Sequence, residues 1–169
     1  MDETTNPEVD LWLVRHAPAE EAADDDAGRA LSERGRRRFE RVVLGLDALG
    51  VQFDHLWTSP LVRARQTAQL ISGHARSEPR VLEALAAEPD GELLAAIAAA
   101  AGTSLALVGH EPWMSQLAAW LVVGSRDANA GLAFKKGGLA WLSGEPVPGG
   151  MRLRAFLPPR VLRALACDD

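Results

Sequence analysis

The chain has 169 residues, a net charge of −5, 47% apolar and 24% charged residues, a balance that suits one soluble domain built around one core. The acidic balance argues against a nucleic-acid binder. The single cysteine, Cys167, rules out an internal disulfide or a cysteine metal cluster. No apolar run approaches the roughly 20 residues needed to cross a bilayer. The opening "MDETTNPEVD" lacks the basic start and apolar core of a signal peptide, so the expected compartment is the cytoplasm.

Residues 1–9 read as a loose tail and 10–169 as a single domain, with no linker or composition break to divide it. "DLWLV" is a short apolar run of strand length, and the acidic "PAEEAADDDAGRA" that follows reads as a loop. "LSERGRRRFERVVLGLDALG" is a helix: Ser32 is placed to cap it, Gly50 to end it, and Phe39, Val42, Val43, Leu46 and Leu49 recur at helical spacing. "FDHLWTSP" reads as a strand, and the next helix is expected to start with Ser59 as N-cap and Pro60 at its first position. A short strand in "PRVLEAL", a helix in "EPDGELLAAIAAAAG", a strand in "SLALVGH" and a helix in "EPWMSQLAAWLVVG" follow. The chain then changes character: "GGLAWLSG" and "MRLRAFLP", joined by the turn-rich "EPVPGG", read as a hairpin, and "PPRVLRAL" as a short closing helix. Strands alternating with helices predict an α/β three-layer sandwich with a mostly parallel central sheet, ending in a hairpin and short helix.

Two segments repeat each other. "LWLVRHAP" and "LALVGHEP" share Leu, any residue, Leu, Val, any residue, His, any residue, Pro, which predicts two strands ending side by side with a histidine each. In parallel sheets ligands bind beyond the carboxyl ends of the strands, and the "SPLVR" turn falls at the same rim. The rim therefore collects Arg15, His16, Arg63 and His110, with Arg29 as a further candidate. Arg63 near a helix N-terminus, with other guanidinium groups, forms a site for a dianionic phosphoryl group. A histidine there has two possible jobs. Neutral imidazole attacks phosphorus, or imidazolium stabilises the equatorial oxygens; two histidines allow one of each. Neighbouring arginines favour a neutral His16. The four histidines fit no metal-ligand spacing, so no metal or cofactor is expected.

Together "LVRHAPAE", "ALSERG", "LWTSPLVRARQTA" and "LVGHEP" resemble the motifs of the histidine phosphatase superfamily, the phosphoglycerate-mutase-like group, and most of all its small phosphohistidine phosphatase branch. The resemblance covers roughly residues 10–125. It implies that His16 becomes phosphorylated, that Arg15 and Arg63 hold the phosphoryl oxygens, that His110 steadies the transition state, and that Arg29 matches a further phosphate-contacting position. One departure is visible: the family's usual Arg-His-Gly is Arg-His-Ala here. Larger members use a glutamate as general acid; Glu83 and Glu88 lie in the corresponding part of the chain, but no motif fixes either. The absence of a long lid insertion implies an open site, suited to a phosphorylated protein or a small phosphorylated metabolite. A non-catalytic phosphate-binding module on the same fold is the rival reading.

The remaining features have plainer readings. His55 and His74 are expected to be structural or solvent-facing. The arginine-rich "RGRRRFER", interleaved with Glu33 and Glu40, reads as an ion-paired helix face rather than a nucleic-acid patch. Lys135 and Lys136, the only lysines, read as a surface pair or as a rim contact to an anionic substrate. Among the five tryptophans, Trp113 stands near His110 and is the one expected to touch substrate.

Overall fold

The structure, a computed structural model, describes residues 8–21, 24–100 and 102–166. Residues 1–7, most of the expected tail, and Cys167 lie outside these. The elements are β1 (Val9–Arg15), α1 (Glu33–Ala48), β2 (His55–Thr58), α2 (Val62–Ile71), β3 (Arg80–Val81), α3 (Gly91–Ala99), β4 (Ser104–Gly109), α4 (Trp113–Val123), β5 (Leu139–Gly144), β6 (Met151–Leu157) and α5 (Pro159–Leu165). Short 3₁₀ turns span Ser72–His74 and Glu83–Ala86.

The six strands form one sheet in the order β3-β2-β4-β1-β5-β6. The first four run parallel. β5 is antiparallel to both β1 and β6, which is the hairpin read from "EPVPGG". Strand alternation sends successive side chains to opposite faces. Leu11 and Leu13 of β1, with Leu105 and Leu107 of β4, meet α3 and α4 through Leu93, Ile97, Met114 and Leu117. Trp12, Val14, Ala106 and Val108 face the other way, onto Phe39, Val42 and Leu46 of α1, Ala64, Ala68 and Ile71 of α2 and Leu162 of α5. Both faces of the parallel half are therefore covered, and the result is the three-layer α/β sandwich.

Local sequence explains the element ends. Ser32 accepts from Gly35 N at 3.0 Å as the N-cap of α1, and Gly50 just beyond its C-cap takes φ +64°, the left-handed conformation that glycine adopts freely. Asp90 caps α3 by accepting from Leu93 N at 2.9 Å. The start of α2 differs from the expectation. Its N-cap is Leu61, and Ser59 stands two residues earlier. Ser59 N still donates to Val108 O at 3.0 Å, as a continuation of β2, and its hydroxyl is engaged by His110 at 2.7 Å. Ser59 therefore sits ahead of the helix, and the only helix-start amide it receives is that of the N-cap residue itself, Leu61 N, at 3.3 Å.

The sequence repeat has a simple geometric meaning. β1 and β4 pair in parallel with Leu11 opposite Leu105, Leu13 opposite Leu107, Val14 opposite Val108 and Arg15 opposite Gly109. The two similar segments are neighbours in matching register, so their histidines leave the sheet together. No helix among the described residues is long and apolar enough to span a membrane.

Candidate active site

His16 N donates to Gly109 O at 3.0 Å, and beyond this last rung the rings of His16 and His110 lie with centroids 5.1 Å apart. Both are buried, at 5% and 7% exposure, and so is Arg63. Arg15 is half-buried.

The string "SPLVRARQT" is spent on holding this cluster. Ser59 Oγ accepts from Leu61 N at 3.3 Å and is hydrogen-bonded to His110 Nε2 at 2.7 Å, the hydroxyl donating or accepting according to the tautomer of His110. Arg63 reaches across to the acidic loop, donating from one terminal nitrogen to Asp26 O at 2.7 Å and from the other to Asp26 Oδ2 at 3.0 Å. Gln66 Oε1 accepts from Leu31 N at 2.7 Å. Thr67 Oγ1 accepts from Ala17 N at 3.0 Å, clamping the turn just after His16. In "ALSERG", Gly35 sits where Pro18 O approaches so closely that a Cβ would lie 2.0 Å from it; only glycine permits that contact between α1 and the chain leaving His16.

The charge state of His16 is set by its surroundings. Burial pushes its pKa down to about 3, and the charges of His110, Arg63 and Arg15 push the same way, against the opposing effect of the hydrogen bond to Ala17. The imidazole is neutral at pH 7. Its Nδ1 lies 2.7 Å from Ala17 O; a carbonyl only accepts, so the proton is on Nδ1 and the lone pair is on Nε2. His110 is likewise lowered to about 4, chiefly by burial and then by Arg63.

Arg15 is positioned by a relay that the sequence reading missed. Its terminal nitrogen donates to Phe134 O at 2.5 Å. Phe134 N in turn donates to Glu111 Oε1 at 2.7 Å, while Glu111 Oε2 accepts from Ser115 N at 3.1 Å and Ser115 Oγ at 2.9 Å. Glu111 thus anchors the segment that holds Arg15. Arg15 Nε, Arg63 Nε and His110 Nδ1 are all buried without a hydrogen-bond partner among the described residues. Unpaired buried polar atoms cost about 1–3 kcal/mol each; Trp113 Nε1 and Gln116 Oε1 on α4 are buried and unpaired as well, so three of the five such atoms among the described residues belong to this cluster.

The other candidates divide. Arg29 is at the edge, paired with Asp26 at 2.8 Å and donating to Glu20 O at 3.3 Å; its charge still lowers His110. Glu83 opens the 3₁₀ turn after β3 and Glu88 follows it, both exposed, and neither is joined to the histidines or arginines by a hydrogen bond or ion pair. Trp113 is 4% exposed and packs with the core, its ring lying so close under Gly109 that a Cβ there would be 1.8 Å from Cζ2. His74 is buried against Val51 O at 2.7 Å and Asp47 at 3.3 Å, and His55 is half-buried beside Ser77; both are structural, as expected. Among the described residues there is no cluster of His, Cys, Asp and Glu able to hold a metal ion.

A parallel α/β sheet that gathers two histidines and two arginines at its carboxyl edge defines a phosphoryl-handling class of protein. Comparison with known proteins agrees. Residues 11–88 match the model of the histidine phosphatase superfamily (branch 1), and an uncharacterized protein of Picosynechococcus sp. is 35% identical over 143 residues, 79% of this chain and 84% of that protein. Among solved structures, the protein histidine phosphatase SixA complexed with tungstate superposes with TM-score 0.76 at 22% identity, over 90% of this chain and 99% of that one. The putative phosphohistidine phosphatase SixA from Agrobacterium tumefaciens gives 0.72 at 27% identity, over 92% and 100%. The chain belongs to the histidine phosphatase superfamily, in its small SixA-like branch.

Proposed function

We propose that residues 10–169 act as one cytoplasmic phosphatase domain that removes a phosphoryl group from phosphohistidine in a protein, through a covalent phosphohistidine on His16. The observation that carries this reading is the state of His16: a neutral ring, its Nδ1–H held by Ala17 O at 2.7 Å, its Nε2 lone pair unengaged beside Arg15, Arg63 and His110. In the first step that lone pair forms the N–P bond as the bond from phosphorus to the leaving group breaks. Arg15 and Arg63 hold the phosphoryl oxygens. In the second step water attacks phosphorus, the P–Nε2 bond breaks, and His16 returns to its neutral form as phosphate and a proton leave.

His110 changes role as the site fills. Burial, and then Arg63, Arg15 and Arg29, lower its pKa in the free protein, and a bound dianion opposes the field of the arginines, raising the pKa and favouring the imidazolium that stabilises transferring charge. Arg29 reinforces the same field from the rim. The placement of Glu83 and Glu88 supports the phosphohistidine reading. Neither carboxylate is fixed at the site, and a leaving imidazole takes its proton from solvent more easily than an alkoxide does.

The test compares a phosphohistidine-bearing protein with nitrophenyl phosphate and an alkyl phosphomonoester. The proposal predicts that kcat/KM is highest for phosphohistidine and that His16→Ala removes turnover of all three. Preference for the alkyl ester would instead assign a small phosphorylated metabolite as substrate. Binding of phosphate without turnover of any would reduce the protein to a phosphate-binding module.

A further inference from the structure

Two features of the sequence remain outside this mechanism: the arginine-rich stretch of α1 and the lysine pair before β5. The fold brings them to one place. A cavity of about 570 Å³ lies between α1, the 133–138 segment and the junction of β6 with α5. Its floor is apolar, made by Phe39, Val42, Leu139 and Phe156, and its rim carries Arg38, Lys135, Lys136, Arg160 and Arg163.

The charge pattern is unusual for this chain, which has 23 acidic and 18 basic side chains. Four cations elsewhere are paired with carboxylates: Arg37 with Glu33, Arg29 and Arg63 with Asp26, Arg76 with Asp54. No carboxylate lines this cavity, and none of its five cations has an ion pair among the described residues. Arg163 is crowded by its own kind, its pKa lowered by burial and then by Arg38 and Arg41. Like charges gathered over an apolar floor repel one another, and a protein gains nothing structural from the arrangement. The volume falls in the range of small-molecule sites, about 300–1,000 Å³.

We propose that this cavity is a second, non-catalytic binding site for a small molecule with an aromatic or other apolar body and two or more negative charges. The body fills the floor against Phe39 and Phe156, and the anionic groups take the rim cations. The cavity and the catalytic cluster share one piece of backbone. Phe134 O accepts from Arg15, and Gly137 N donates to Arg15 O and His16 O at 3.1 and 3.0 Å, while Phe134 and Gly137 both line the cavity.

The test uses naphthalene-1,5-disulfonate, a non-hydrolysable aromatic dianion, titrated calorimetrically into the full chain saturated with orthovanadate to occupy the catalytic cluster. Saturable binding is expected to persist under vanadate. The pair Lys136→Gln with Arg163→Gln should weaken it by about tenfold or more, which is ~1.4 kcal/mol. The charge-matched pair Arg34→Gln with Arg152→Gln, exposed elsewhere on α1 and β6, should leave affinity unchanged. Ethane-1,2-disulfonate, with the same charge and no ring, should bind much more weakly. Circular dichroism and thermal melts confirm that each variant is folded. No saturable binding, displacement by vanadate, unchanged affinity in the cavity pair, equal loss in the control pair, or equal binding of the ethane compound would each overturn the proposal.

Discussion

Replacing Glu111 with alanine tests whether Arg15 is held in place or merely present. The carboxylate accepts from Phe134 N at 2.7 Å, Ser115 Oγ at 2.9 Å and Ser115 N at 3.1 Å. Hydrogen bonds to a charged group contribute about 1.5–3 kcal/mol each. Ser115 Oγ keeps a second partner in Pro112 O at 2.9 Å, and Glu111 is only half-buried, so water replaces part of the loss. The expected destabilisation is therefore ~2–4 kcal/mol by urea denaturation. The functional effect arrives indirectly. Once Phe134 is unanchored, its carbonyl no longer fixes the Arg15 guanidinium, and the nearby negative charge that favours Arg15's ionised form is gone. A drop in kcat/KM of about 10–100-fold, or ~1.4–2.7 kcal/mol of transition-state stabilisation, is expected under conditions where the variant is fully folded. Glu111→Gln keeps one oxygen for Phe134 N and should recover most of the activity while remaining less stable than wild type. If Glu111→Ala retains kcat/KM within about twofold of wild type, the relay from Glu111 through Phe134 to Arg15 does not position the arginine.

Ser59→Ala removes the 2.7 Å bond to His110 Nε2 and leaves a buried nitrogen unpaired; kcat/KM should fall about tenfold with a stability loss of ~1–3 kcal/mol, measured by steady-state kinetics and thermal denaturation. Gly109→Ala places a Cβ 1.8 Å from Trp113 Cζ2, an overpacking that should cost ~1–3 kcal/mol or more, with partial rescue by Trp113→Leu in the double variant. Both His16, at about 3, and His110, at about 4, have folded pKa values below the unfolded ~6.5. The unfolded chain then binds more protons, so stability is complete above pH ~6.5 and falls as the pH drops toward the folded values, by up to ~1.4 kcal/mol per pH unit for each histidine. Urea midpoints across this window should show that slope, and His16→Ala should roughly halve it.

The central sheet was legible because short continuous apolar runs of strand length are read directly from the chain, and because the matched segments before His16 and His110 declare two adjacent strands. Arg15, His16, Arg63 and His110 followed from the same strand ends. The supporting residues were not legible. Glu111 acts on Phe134, 23 positions away, and Asp26 on Arg63, 37 positions away; nothing local in either stretch announces the partner. Ser59 looked like a helix cap because serine before proline commonly is one, yet the helix begins two residues later, with Leu61 as its N-cap. Trp113 was expected to touch substrate because it neighbours His110 in sequence. The signal that places it inside was Gly109: a glycine at the end of a buried strand marks a close approach, and here the indole makes it.

The most direct test of the account is the covalent step. The protein is mixed with a labelled phosphoryl donor, quenched in denaturant, and compared with His16→Ala and with His110→Ala. The account predicts acid-labile, base-stable label on the wild type, none on His16→Ala, and label on His110→Ala that forms more slowly but still at His16. Label that persists in His16→Ala, or turnover by the wild type with no trapped phosphohistidine under single-turnover conditions, would contradict it.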